Sequence, residues 1–186
     1  MIKGCAGVDT SGEGPGPVVG FINSLTKIYP SILIICDAKI GVSYIATEME
    51  ASGVAPERIV KITGAMNAGA RNETLHRAYS SWGDGKYIIA TNCLGTGVDS
   101  LQGEWKTKTD GTKVWHQRLS KLVTIGTKWN RGPLDQFEGR ISRPGQQEKV
   151  VRFHLTMDCD HRKETEAMTT KKASAVSAIT GPIPTS

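Results

Sequence analysis

One pattern recurs along this chain. A short, wholly apolar, β-branched run is followed by a longer stretch with helical period. The clearest run is "SILIIC" at 31–36, which has almost nothing polar to turn toward water. Such a run fits a strand buried on both faces, which is how strands sit inside a parallel sheet. Further runs are "RIVKIT" (58–63), "KYIIAT" (86–91), "KLVTIG" (121–126) and "EKVVRFHL" (148–155). Between them lie helical patterns: "IGVSYIATEMEASG" (40–53), closing at Gly53, and "AGARNETLHRAYSSW" (68–82). A third, "PLDQFEGRIS" (133–142), opens with proline in its first turn. Ahead of them, "VVGFINSLTKIY" (18–29) spaces Val18, Phe21, Ile22 and Leu25 as a helix that Pro30 would stop. Alternation of this kind predicts an α/β domain around a mostly parallel central sheet. Ligands of such sheets bind beyond the carboxyl ends of the strands. That directs attention to the segments after Cys36, Thr63, Thr91 and Gly126.

The bulk properties narrow the class. The 186 residues are enough for one domain with a real core. The formal net charge of +5 and a pI near 9.1 suit a polyanionic partner without requiring one. Cysteines at 5, 36, 93 and 159 show no CxxC spacing, so neither a zinc site nor a redox pair is expected. Cys36 and Cys93 read as small buried hydrophobes in a reducing compartment. With no apolar run of membrane length and no signal-peptide core, the expected location is intracellular and soluble: cytoplasmic or nucleoid-associated, with the nucleus as an alternative. Residues 1–17 read as a Gly/Pro-rich lead-in and 161–186 as a disordered tail. The four histidines, His76, His116, His154 and His161, have no metal-binding spacing and read as structural or solvent-facing.

The helix at 133–142 separates two sets of side chains. Gln136, Arg140 and Arg143 fall at i, i+4, i+7, while Leu134, Phe137 and Ile141 fall at i, i+3, i+7. At 100° per residue the two faces lie about 120° apart. One can pack on a sheet while the other presents a Gln and two Arg. A solvated basic face, paired with Glu138 or Asp135, is the plain explanation. Guanidinium groups are also the preferred partners of phosphate oxygens and can stabilise charge developing on a transferring phosphoryl group.

The spacing Q-x-x-G-R-x-x-R resembles motif VI of superfamily 2 helicases. Upstream, "IATNCLGTGVD" (89–99) resembles motif V and "ILIICDAK" (32–39) motif IV, while "KITGAMNAGARNETLHRAY" (61–79) is similar to the strand–Gly–Arg–helix segment that follows motif IV. The flanks of "KWNRGPLDQFEGRISRPGQQEKVVRFHL" (128–155) resemble Swi/Snf-type DNA translocases. The resemblance covers about residues 18–160. It implies a RecA-like three-layer fold and the second lobe of a two-lobe motor that binds ATP and DNA across a cleft. It also implies roles. Arg143 would be the arginine finger, with Arg140 and Gln136 sharing its surface. Gly97 and Asp99 would lie near the nucleotide. Thr91 would contact the DNA backbone, with Arg71 near the nucleic-acid face. No G-K-[ST] loop and no Asp-Glu dipeptide occur in the chain. Gly64 and Gly69 have phosphate-loop spacing, but Ala70 and Arg71 follow them. The resemblance therefore implies that ATP and its Mg²⁺ are held chiefly by a first lobe elsewhere, and that this chain alone hydrolyses negligible ATP.

Residues 103–118 interrupt the pattern with "EWKTKTDGTKVWHQ" (104–117), an expected β-hairpin insertion. With Asp110-Gly111 as a two-residue turn, Lys108 would face Lys113 and Lys106 would face Trp115. Lys106, Lys108, Lys113 and Trp115 would then share one face, opposite Trp105, Thr107, Thr109 and Val114. A basic aromatic face suits a phosphate backbone or a base, with a plain surface hairpin as the alternative. Two other readings of the whole chain stand beside the motor lobe. One is a non-catalytic nucleic-acid-binding or partner-docking module on the same fold. The other is an unrelated nucleotide-binding α/β domain, weakened by the missing phosphate loop. DNA is the expected polymer and RNA the alternative.

Overall fold

A computed structural model describes residues 16–95, 101–126, 131–143 and 146–155. The chain begins with helix α1 (Pro17–Thr26), its proline at the start where a missing N–H costs nothing. The helix ends three residues before the expected stop, because Ile28 and Tyr29 turn back onto the Leu25 carbonyl. Strand β1 (Ile32–Cys36) follows, then α2 (Lys39–Ala51), β2 (Ile59–Ile62), α3 (Ala68–Ser80) and β3 (Tyr87–Ala90). A hairpin of β4 (Gly103–Thr107) and β5 (Lys113–Gln117) precedes β6 (Lys121–Ile125), α4 (Arg131–Ile141) and β7 (Val151–Leu155).

Five strands form one sheet in the order β2-β3-β1-β6-β7, with every pairing parallel. All carboxyl ends therefore lie on one edge and all amino ends on the other. The wholly apolar runs explain the burial. Residues of β1 alternate between two separate cores. Leu33 and Ile35, with Val60, Ile62, Ile88 and Leu122, meet Leu75 and Ala78 of α3 and Phe137 and Ile141 of α4. Ile32, Ile34 and Cys36, with Tyr87, Ile89, Val123 and Ile125, meet α1 and α2 through Val19, Ile22, Val42, Ile45 and Met49. The result is helices, sheet, helices: the three-layer RecA-like architecture, plus an antiparallel hairpin.

Two expectations about cysteine part company. Cys36 is buried, and burial, then Asp37, pushes its thiol up to about 12, so it is an inert core group. Cys93 is only half-buried, because the chain leaves β3 at Ala90 and coils into a short 3₁₀ turn at Asn92–Gly95. At the amino edge, Arg58 staples the strand entrances together. Its guanidinium donates to the carbonyls of Pro30, Asp84 and Gly85 and to the Tyr87 hydroxyl, 2.9–3.3 Å away. Among the described residues no helix is long and apolar enough to cross a membrane.

Candidate functional site

Helix α4 carries the two arginines, and its apolar seam fixes how it presents them. Phe137 and Ile141 are fully buried against the sheet. Gln136 is exposed, and Arg140 and Arg143 are half-buried. The side chain of Leu134 falls outside the described residues. Of the two acids expected to serve this face, Glu138 instead holds Arg152 of β7 at 3.2 Å, and the side chain of Asp135 falls outside the described residues. Arg143 lies just past the last helical residue, and its Nε donates to the Gly139 carbonyl at 3.1 Å. That bond caps a carbonyl the helix end leaves without an internal donor. The stripe offers N–H donors of the kind that suit anionic oxygens.

The end of α4 is pinned by Gln146. Its side-chain amide donates to Ile141 and Leu119 carbonyls, at 2.9 and 3.0 Å. Leu119 sits just before β6, so the arginine end of α4 lies toward the amino edge of the sheet. The helix rises from the opposite edge, where the Asn92–Gly95 turn packs on it. Eleven residues span about 16 Å. The expectation that the chemistry gathers beyond the carboxyl ends therefore covers only part of the candidate set, because α4 carries its arginines away from that edge.

At the carboxyl edge the structure brings Arg71 and Thr91 together through Cys93. The Thr91 hydroxyl accepts from Gly64 N at 3.1 Å and donates to Cys93 Sγ at 3.3 Å. Arg71 Nη1 donates to the Cys93 carbonyl at 2.7 Å. Asn67 caps α3 by accepting from Ala70 N at 2.8 Å. These bonds tie the β2–α3 loop to the β3 exit, which is the turn-and-cap chemistry that small polar residues commonly perform. The phosphate-loop spacing of Gly64 and Gly69 thus reflects a capped helix entry. The sequence reading missed Asn67, although an asparagine directly before a helical pattern is a cap signal; the Cys93 carbonyl had no signal, because backbone acceptors leave no residue signature. Gly97 and Asp99 lie outside the described residues. Among those described, no group of three His, Cys, Asp or Glu is placed to hold a metal ion.

The hairpin forms, but in a different register from the expected one. Trp105 faces Trp115, Lys106 faces Val114 and Thr107 faces Lys113. The loop has three residues rather than two. Gly111 adopts φ +82°, its N–H returns to the Lys108 carbonyl, and Lys108 N donates to Thr112 O. A turn followed by a left-handed glycine inserts the extra residue. Asp110 accepts from Thr112 N at 2.9 Å, and that bond holds its carboxyl below the usual carboxylate range. One added residue flips the faces. Lys113 now shares a side with both tryptophans and Thr107, whereas Lys106 and Lys108 lie on the other side with Glu104 and Val114. Lys106 stands 3.4 Å from Glu104, which also pairs with the buried Arg118 at 2.5 Å. Arg118 in turn lies over the Tyr79 ring at 4.0 Å, anchoring the hairpin root at the amino edge.

No family model and no curated protein sequence matches the chain. Solved structures do. The C-terminal part of the Fun30 ATPase domain matches with a TM-score of 0.62 at 12% identity, over 83% of this chain and 45% of that one. The C-terminal domain of the DEAD-box protein Dbp5 gives 0.55 at 13%, over 84% and 78%. The DUF1998 helicase MrfA, solved with DNA and AMPPNP, gives 0.57 at 15%, over 86% and 20%. This chain thus spans less than half of the Fun30 structure and a fifth of MrfA. At these identities the likeness establishes the fold.

Proposed function

We propose that this chain, which has the fold of a superfamily 2 helicase C-terminal lobe, is the second motor lobe of an ATP-dependent DNA helicase or translocase. The observation that supports this most is α4. Its buried Phe137 and Ile141 turn Gln136 and Arg140 away from the core, and Arg143 follows at the helix exit. In this reading ATP and Mg²⁺ are held by a first lobe, in another chain or elsewhere in a longer parent protein. ATP supplies the phosphoryl group when bound. The role of this chain is positional and electrostatic: Arg143 acts as the arginine finger, and Arg140 and Gln136 flank it. Gly97 and Asp99 keep the nucleotide-side role that the motif resemblance implies. Thr91 and Arg71, with Lys106, Lys108 and Lys113 of the hairpin, supply contacts to DNA.

The test is ATP hydrolysis by the assembled two-lobe enzyme. Arg143→Ala is expected to lower kcat by about 10³-fold while the lobe stays folded. An unchanged kcat removes the finger role and leaves the second reading, a non-catalytic nucleic-acid-binding or partner-docking module. One observation favours that alternative: Arg143, Thr91 and Arg71 each make internal bonds that a purely structural residue would make.

A further inference from the structure

We propose that the Trp105–Trp115 face of the hairpin is a stacking platform for unpaired nucleobases, separate from the Thr91–Arg71 edge. It takes only its ligand class, nucleic acid, from the motor-lobe reading.

The platform exists because of the observed register. Trp105 and Trp115 are directly opposed, with ring centroids 5.5 Å apart and planes inclined at 66°. The two rings differ in function. Trp115 is fastened: its indole N–H donates to Gln117 Oε1 at 2.7 Å, and its ring lies over Gly103 so closely that a Cβ there would meet Cζ2 at 2.8 Å. Gln117 is itself tied to the Gln102 and Leu119 carbonyls. The Trp105 ring meets this fixed wall in an edge-to-face arrangement and leaves 54% of its surface in solvent. A large aromatic ring that is both held in place and exposed presents a π-face at little ordering cost.

The surroundings select the ligand. A protein-docking patch needs an apolar centre with further aliphatic or aromatic contacts. Here the neighbours on the same face are Gly103, Thr107, Lys113 and Gln117, none of them aliphatic. Lys113, exposed and one step toward the tip, is placed for a phosphate beside a stacked base. Lys106 projects from the opposite face and is already near Glu104. Stacking on an aromatic ring requires a base whose face is not covered by a neighbour, so the class is single-stranded. The hairpin root lies at the amino edge, and Thr91 and Arg71 at the carboxyl edge. The two contacts are thus separated by the depth of a five-residue strand, about 17 Å.

The experiment titrates the 186-residue chain with oligo(dT), following tryptophan emission and the anisotropy of end-labelled oligonucleotide across salt concentrations. Oligo(dT) is expected to quench emission. Trp105→Ala should abolish most of the quenching and weaken binding about 5- to 100-fold, with Trp105→Phe largely restoring affinity. Because Trp105 is half-exposed and packs on Trp115, Trp105→Ala should lower the thermal midpoint by only about 2–4 °C. Lys113→Ala should lower the salt slope by about 0.7. Equal affinity of Trp105→Ala and the parent overturns the platform. So does equal quenching by duplex DNA, or quenching by poly-glutamate and not by oligo(dT), which would mark a protein surface. Arg143→Ala does not enter this readout. Failure of the motor reading in the ATPase assay therefore leaves the quenching result interpretable by itself.

Discussion

At the residue scale, function and stability draw on the same polar groups. Arg71 and Thr91 hold the Cys93 turn in place, and Arg143 closes the end of α4. A substitution at any of them alters shape as well as charge, so each needs a folding control beside the functional assay. Gly85 is a position where the structural demand is unambiguous. It has φ +96°, and a Cβ there would collide with the Pro30 carbonyl and the Ser31 hydroxyl. Neither the backbone carbonyl nor the buried Ser31 can yield easily. Gly85→Ala is expected to cost more than about 3 kcal/mol, read as a fall in the urea midpoint with an unchanged slope. Nothing in "GDGKY" announces this severity. A glycine in a turn is common, and the collision depends on a strand entrance more than fifty residues earlier in the chain.

At the element scale, helix α4 and the hairpin show what sequence periodicity can and cannot resolve. The burial of Phe137 and Ile141 and the exposure of Gln136 follow from a 3.6-residue repeat, and the sequence alone was sufficient for them. Phe137→Ala should therefore destabilise the chain by about 3–5 kcal/mol, whereas Gln136→Ala should change it by less than about 0.5 kcal/mol. Urea denaturation of the two variants side by side checks both. The hairpin was legible as a hairpin, but its faces were not. Their assignment hangs on whether the turn has two residues or three, and Asp-Gly is compatible with both. The energy separating those turns is small beside the tertiary contacts that decide it. Here Glu104 reaching the buried Arg118, and Trp115 lying over Gly103, hold the root in one register. The bridge between Glu138 and Arg152, by contrast, is half-exposed and contributes at most about 1 kcal/mol.

At the scale of the whole molecule, the parallel sheet and its three layers were legible because uninterrupted apolar strands have few other places to go. The division of the candidate site between two edges was not, because it depends on where a helix ends relative to strands distant in sequence. The closing strand carries a pH dependence. His154 on β7 has its Nδ1 2.6 Å from the Thr124 hydroxyl, and partial burial lowers its pKa below the ordinary 6.5. The unfolded chain therefore takes up the proton first. Stability is complete above pH about 6.5, declines as the pH falls through that value, and levels off below the folded pKa. The ring remains substantially exposed, so solvent keeps the effect small. Thermal midpoints of His154→Gln should accordingly vary less than the parent's between pH 7 and pH 5. The strand order has a further consequence, for biosynthesis. Of the five strands of the sheet, β1 is made first and lies at the centre, and the register partners of its Leu33 are Ile88 on one side and Leu122 on the other. Until translation has passed Ile88, "ILIIC" has no neighbour on either edge, and until it has passed Leu122 one edge stays open. During that interval this run is the segment most prone to self-association and the natural point of engagement for a chaperone.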